Sequence, residues 1–331
     1  MYTPFDIRLA KTTVRIVLFL ALLGSACRNS HSRAAPQSAA RQVAPVLPRD
    51  TARAPRPLFT CTVPKDIRIR EYFVFVDSLV QRYDSLTPYH LTEHLLVRAN
   101  PWIIDTLENT DYYRMKARGV FVYDQRQLVV LRQGDTLSVP DTLLAHELQR
   151  RMDNTWIDIN IPEFRLRIVE DSDTLYSMKV RVGQNKKRFQ EALGRVADLR
   201  TRPGSGKIIR ANRMPSLFVD PHTGRQFKET LRDDGKTTRM PMIPWLEPEI
   251  NGVRLGQMIH PTTNPETLGR AYSNGCVGCS ESDAWRLYYY APVGTRVEIR
   301  YDLTTVGPEG DTIHLPDIYG WKTLKQVPGS N

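Results

Sequence analysis

Residues 156–183 read Trp156-Ile157-Asp158-Ile159-Asn160-Ile161-Pro162-Glu163-Phe164-Arg165-Leu166-Arg167-Ile168-Val169-Glu170-Asp171-Ser172-Asp173-Thr174-Leu175-Tyr176-Ser177-Met178-Lys179-Val180-Arg181-Val182-Gly183. Apolar and polar side chains alternate through Ile157–Ile161, again through Phe164–Val169, and again from Leu175 to Val182. A period of two puts successive side chains on opposite faces of an extended chain, so each run reads as a strand with one buried face. Helical spacing is scarce from Trp156 until Ser280. This predicts a mostly β domain with one or two helices.

Upstream the texture differs. From Asp66 to Tyr83 the apolar residues Ile69, Phe73, Val76 and Val80 recur at three or four residues, one face of a helix. Asn100-Pro101-Trp102-Ile103-Ile104, the alternating Val120–Tyr123 and Leu128–Leu131, and Gly134-Asp135-Thr136-Leu137-Ser138-Val139-Pro140 read as short strands with turns. Residues 63–153 are therefore expected to form a small α+β accessory domain. Asn100-Pro101 followed by Gly134–Pro140 is faintly similar to the peptidoglycan-binding LysM module, with stretched spacing; a structural accessory domain is the safer reading.

The chain has 331 residues and a formal charge of +10, enough length for two domains. The charge sits mostly at the N-terminus: residues 1–26 carry +2 and residues 27–60 carry +5, which leaves +3 for residues 61–331. A nearly balanced folded part argues against nucleic acid as a partner. At the N-terminus a basic segment ends at Arg15, an apolar run spans Ile16–Leu23, and Gly24, Ser25 and Ala26 precede Cys27. That is the plan of a secretory signal over residues 1–26, and the run is shorter than the roughly 20 residues a bilayer span needs. The end of the segment resembles the lipobox of bacterial lipoprotein signals, which implies lipidation of Cys27 and an exported, periplasmic, membrane-anchored protein. Residues 27–62, rich in Ala, Pro and Arg, read as a disordered tether.

The chemistry is concentrated further on. Gln257-Met258-Ile259-His260-Pro261-Thr262-Thr263-Asn264-Pro265 and Leu268-Gly269-Arg270-Ala271-Tyr272-Ser273-Asn274-Gly275-Cys276-Val277 place a histidine at the end of an apolar strand and, 16 residues later, a cysteine behind a glycine. A thiol attacks an acyl carbon only as thiolate, so it needs a base or cation within hydrogen-bond reach. Histidine suits that task near neutral pH. Gly275 lets the backbone approach a reacting carbonyl, with successive amide hydrogens free to form an oxyanion hole. A lone histidine on an apolar strand is more often structural than catalytic; its spacing to Cys276 favours the base.

This block resembles the catalytic motif of the L,D-transpeptidases, the YkuD-type domain, where Ile-His-Gly-Thr precedes Ser-His-Gly-Cys-Ile-Arg. His260, Ser273, Gly275, Cys276 and the aliphatic Val277 match that pattern. The similarity takes in the opening strand pair, Val180-Arg181-Val182-Gly183, Thr201-Arg202-Pro203-Gly204-Ser205-Gly206 and the closing Pro292–Ile299. It implies a β-sandwich or barrel catalytic domain over residues 155–303, followed by a C-terminal tail, 304–331. It further implies Cys276 as nucleophile, His260 as general base and acid, and the Pro261 carbonyl as the group orienting His260. The amides of Asn274, Gly275 and Cys276 would hold the oxyanion, with Ser273, Tyr272 and Trp245 against the substrate, and no metal or organic cofactor is required. The implied substrate is a peptidoglycan tetrapeptide stem, cut before its terminal D-alanine through a thioester on Cys276. The acyl group would pass to an amine such as that of diaminopimelate, or to water in a carboxypeptidase; a catalytically impaired peptidoglycan-binding lipoprotein is the non-enzymatic alternative.

Three positions depart from the pattern. Asn274 stands where a second histidine is usual, Pro261 where a glycine follows the catalytic histidine, and Gly278 where an arginine is common. Cys276-Val277-Gly278-Cys279 also has the spacing of a redox pair or half a zinc site, with Cys61 and His260 as the only further ligands in view. Against these readings, Cys279 is expected to pack beside the site or to pair with Cys61. His90, His94, His146, His222 and His314 read as ordinary surface or core residues. Trp285–Tyr290, behind a Ser-x-Ser-Asp start, reads as a helix turning its aromatics into the core. Met240, Met242 and Trp245 lie among prolines, as in a loop closing over a groove.

Overall fold

The computed structural model describes residues 57–322. The expected signal segment, Cys27 and most of the tether lie outside the described residues, which belong to one compact unit.

The alternating runs form the strands their period demands: β1 (Thr155–Asn160), β2 (Arg165–Glu170) and β3 (Asp173–Lys179) are a meander of antiparallel neighbours. Further strands are β4 (Gly204–Asn212), β5 (Trp245–Ile250), β6 (Ile259–Pro261), β7 (Val277–Cys279) and β8 (Arg296–Arg300). They make one eight-stranded sheet in the order β7-β6-β5-β4-β8-β1-β2-β3. The pairs β6–β7 and β8–β1 are parallel. Arg181, two residues beyond β3 at one edge, pairs with Gly278 of β7 at the other. The two edges therefore meet, and the sheet curls into a nearly closed barrel, which leaves no long exposed edge. The mostly β architecture matches the expectation.

The upstream region supplies helices α1 (Ile69–Asp84), α2 (Glu93–Arg98), α3 (Trp102–Glu108), α4 (Tyr112–Ala117) and α5 (Thr142–Asp153). The strand Phe59–Thr62 pairs antiparallel with Thr136–Val139. Two expectations fail here. Trp102–Ile104 opens a helix instead of a strand: Pro101 sits at its N-cap, and Ile103, Ile104 and Leu107 bury one helical face. A short apolar run has no period long enough to separate the two forms. Residues 120–123 form no strand: Val120, Phe121 and Tyr123 are exposed, and the backbone bonds are the Val120 amide to the Met115 carbonyl, which closes the end of α4, and the Tyr123 carbonyl accepting from the Arg239 amide. Buried Asn100 bonds the Leu96 and Ser138 carbonyls and the Ser138 amide, all at 2.8 Å, tying the helices to this strand pair.

The helix α6 (Glu281–Tyr290) is capped by Ser280, whose side chain accepts from the Asp283 amide. Its aromatics do face the core. Trp285 stacks on Phe73 of α1 at 6.0 Å, and the Tyr289 hydroxyl is hydrogen-bonded to the Tyr72 hydroxyl at 2.7 Å and to buried Glu93 at 3.0 Å. The helical region and the barrel thus share one hydrophobic core.

Candidate active site

Strand register gathers the site. His260 of β6 lies opposite Gly278 of β7, and Gly278 lies opposite Arg181. Paired residues on neighbouring strands share a face of the sheet. Cys276 is two residues before Gly278 and so falls on that same face. Cys276, His260, Arg181, Trp245, Tyr272 and Met240 line one cavity of about 500 Å³. Its rim comes from two hairpins, Lys187–Gln190 with Arg195–Asp198 and Phe218–Val219 with Gln226–Phe227, which contribute Leu193, Phe218 and Phe227.

His260 Nδ1 bonds the Pro261 carbonyl at 2.8 Å. A carbonyl only accepts, so Nδ1 carries the proton and Nε2 keeps its lone pair. Pro261 lacks an N–H but not a C=O, which is why it fills the glycine's place without loss of this contact. The Trp245 ring packs on His260 with centroids 4.8 Å apart. Trp245 is the first residue of β5 and not part of a covering loop; Met240 lines the cavity, whereas Met242 packs against the core. Burial, aided by the positive charge of Arg181, lowers the His260 pKa to about 4. Burial raises the Cys276 thiol above its ordinary value, against a hydrogen bond to the Met258 backbone and the charge of Arg181. At neutral pH the resting pair is thus thiol and neutral imidazole.

The loop carrying Cys276 is built tightly. Gly275 has φ +109°, a conformation that strains any residue with a Cβ. Ser273 Oγ donates to the Cys276 carbonyl at 2.5 Å, and the Gly275 amide donates back to that Oγ at 3.3 Å. The Gly275 N–H, expected to face an oxyanion, is therefore engaged at rest. The amides of Asn274 and Cys276 have no partner among the described residues. Tyr272 is exposed at the cavity rim, and the Asn274 carboxamide meets Gln184 Nε2 at 3.5 Å.

Cys61, Cys276 and Cys279 are all free, so the pairing of Cys61 with Cys279 does not occur. Cys61 sits in Phe59–Thr62, while Cys279 is buried at the end of β7, its Sγ 3.7 Å from the His260 carbonyl. Packing beside the site is the outcome seen. Three residues of extended chain separate Cα atoms by about 10 Å, beyond the roughly 7 Å a disulfide bridges, so Cys276 and Cys279 make no redox pair in this geometry. Among the described residues no group of three or more His, Cys, Asp or Glu is placed to hold a metal ion.

Three residues that sequence reasoning did not single out support the site. Arg181 lies along the cavity floor. Thr201 accepts from the Gly183 amide at 2.8 Å and donates to the Gly275 carbonyl at 3.0 Å. Buried Tyr319, from the expected tail, accepts from the Thr201 amide at 3.2 Å and donates to the Gly183 carbonyl at 2.6 Å. Thr201 and Arg181 lie in segments quoted for the resemblance, Thr201–Gly206 and Val180–Gly183, with no role attached to either; Tyr319 had no sequence signal. Tyr319→Phe strands a buried amide and a buried carbonyl. It is expected to cost about 1–3 kcal/mol, read as a lowered midpoint of thermal unfolding. An unchanged midpoint would contradict this role.

Residues 154–299 match the model of the YkuD family, the L,D-transpeptidase catalytic domain. Among solved structures, an L,D-transpeptidase from Mycobacterium smegmatis is 16% identical over 44% of this chain and 58% of that one, with a TM-score of 0.30. The L,D-transpeptidase of Xylanimonas cellulosilytica, residues 123–326, is 17% identical over 74% of this chain and 100% of that one, at 0.33. The catalytic domain of the Enterococcus faecium enzyme is 16% identical over 45% and 98%, at 0.29. The chain spans 58% and 59% of the first two chains matched. No curated protein matches it.

Proposed function

We propose that the protein is a cysteine acyltransferase acting on peptidoglycan tetrapeptide stems. The observation that carries the reading is the shared face: His260 of β6, its register partner Gly278 of β7 and Cys276 one residue ahead of β7 line one cavity, with His260 Nε2 unprotonated. His260 Nε2 takes the Sγ proton as sulfur bonds to the carbonyl carbon before the terminal D-alanine. The amides of Asn274 and Cys276 receive the oxyanion, joined by Gly275 once its bond to Ser273 is released. The imidazolium returns the proton to the leaving amine, the C–N bond breaks, and a thioester is left on Cys276. In the second half, His260 deprotonates an acceptor amine that attacks the thioester, giving a 3-3 cross-link or another amide and restoring the thiol. Water in the acceptor's place would make the enzyme an L,D-carboxypeptidase. The N-terminal segment and Cys27 support an exported, lipid-anchored protein working at the envelope.

Incubation with a carbapenem is expected to give one covalent adduct by mass spectrometry, absent from Cys276→Ala. No adduct on the intact protein, or one that survives Cys276→Ala, overturns the nucleophile. Products released from purified muropeptides then separate cross-linking from trimming.

A further inference from the structure

Arg181 occupies the place left by Gly278. The two residues exchange both backbone hydrogen bonds, at 2.8 and 2.9 Å. The arginine side chain then runs over the glycine: a Cβ on residue 278 would lie 2.6 Å from Arg181 Nε and 2.8 Å from its Cγ. The departure at 278 and the arginine at 181 are thus one feature, because the cation fits only above a residue with no side chain. It enters from the opposite edge of the closing sheet, and register puts it on the face of His260 and Cys276.

This cation is unsatisfied. Arg181 Nη1 donates to Thr267 Oγ1 at 3.2 Å, and Nε is buried with no partner. Among the described residues no carboxylate forms an ion pair with it, whereas the buried arginines Arg98 and Arg232 each have one. A guanidinium that lines a cavity without a counter-ion, with Nη1 on a neutral hydroxyl and Nε unbonded, can receive a carboxylate.

We propose that Arg181 receives the free α-carboxylate of the residue that leaves the acyl donor, and so selects donors that end in an unblocked amino acid. The inference rests on the acyl-transfer reading above. In that reaction His260 protonates the scissile nitrogen, and the α-carboxylate is two bonds from that nitrogen, on the His260 side of the scissile bond. Arg181 reaches over Gly278, the register partner of His260, toward that side. Carboxylates of the retained stem lie beyond the acyl carbon, on the Cys276 side. The same charge acts on both reacting groups, lowering the pKa of His260 and of the Cys276 thiol; a bound carboxylate would neutralise it.

The test compares two donor stem peptides identical but for their terminus, one a free carboxylate and one a primary amide, by kcat/KM for release of the terminal residue. The wild-type protein is expected to prefer the acid on the order of 30-fold, the range of a charge-assisted hydrogen bond. Arg181→Gln is expected to lose that preference: its charge acts on His260 and Cys276 with either peptide, so both turnovers shift, but kcat/KM falls by a further factor on the order of 30 on the acid alone, the bond made only to the acid. Where Arg181→Gln is unstable, Arg181→Lys answers the same question, because it keeps the charge and removes the fork: a fall in the acid-to-amide ratio of kcat/KM supports the anchor. Equal losses on both peptides, or no change in preference, overturn it. A wild-type protein that turns over neither peptide overturns the acyl-transfer reading and this inference with it, whereas a wild-type protein active on both without preference overturns this inference alone.

Discussion

His260→Gln is expected to slow release of the terminal residue at neutral pH by about a thousandfold, within the range of a lost general base and acid. Glutamine keeps a polar group in the space but cannot carry the Sγ proton to the leaving amine. The pH dependence makes the case specific. Desolvation disfavours the charged imidazolium, so the imidazole stays neutral until the pH falls to about 4. For the wild-type protein kcat/KM is then expected to stay level from neutral pH down through the usual histidine range and to drop only near pH 4. Below that point the imidazole is already protonated and cannot accept from sulfur. In His260→Gln the only route to thiolate is direct ionisation of a thiol whose pKa burial has raised. Activity of the variant should therefore climb as the medium becomes strongly alkaline. A wild-type acid limb centred on the ordinary histidine value, or a variant whose activity is flat with pH, would contradict the neutral pair.

How much of this was legible in the sequence follows from the range over which each signal acts. The β1–β3 meander was legible because its period of two runs through three successive strands, and α1 because its apolar face recurs over four turns. Trp102–Ile104 was not, since three apolar residues carry no period and Pro101 settled the matter by opening a helix. Cys276 and His260 were legible through spacing and the glycine at 275. The orientation of His260 by the Pro261 carbonyl needed only the next residue. Arg181 and Tyr319 escaped because their roles are created by closure of the sheet. Nothing local connects Arg181 with Gly278, 97 residues apart, until the two edges pair. Nothing local connects Tyr319 with Gly183 until the C-terminal segment folds back. Gly278, read in isolation as a missing arginine, is the space that another arginine fills.

Arg232→Ala is expected to destabilise the protein by about 3–5 kcal/mol, the cost of removing one partner of a fully buried ion pair. Arg232 sits between the paired strands Glu229–Leu231 and Thr237–Arg239. Its Nη1 donates to Glu281 Oε1 at 2.5 Å, its Nη2 to Gln125 at 2.9 Å and its Nε to Thr238 at 2.7 Å. Glu281 also accepts from the Tyr112 amide at 3.0 Å and from Gln125 at 2.7 Å. This one network therefore joins the hairpin, the first turn of α6 and the upstream region. Taking the guanidinium away leaves the Glu281 carboxylate buried with neutral donors only. Burial already holds its pKa above the ordinary value against the opposing charge of Arg232, so the variant's Glu281 must rise further. The sign follows: a carboxyl whose folded pKa exceeds its unfolded value favours the folded state at low pH and loses that contribution as pH rises through the folded pKa. Denaturant unfolding should accordingly find the variant's deficit smaller at pH 5 than at pH 8. Arg232→Met with Glu281→Leu should recover most of the loss, because it removes both charges and keeps the volume. A deficit under about 1 kcal/mol, the level of an exposed pair, would show that the pair does not hold these segments together. The consequence reaches the chemistry, since Thr230 within this hairpin and Met240 just after it line the cavity that holds Cys276.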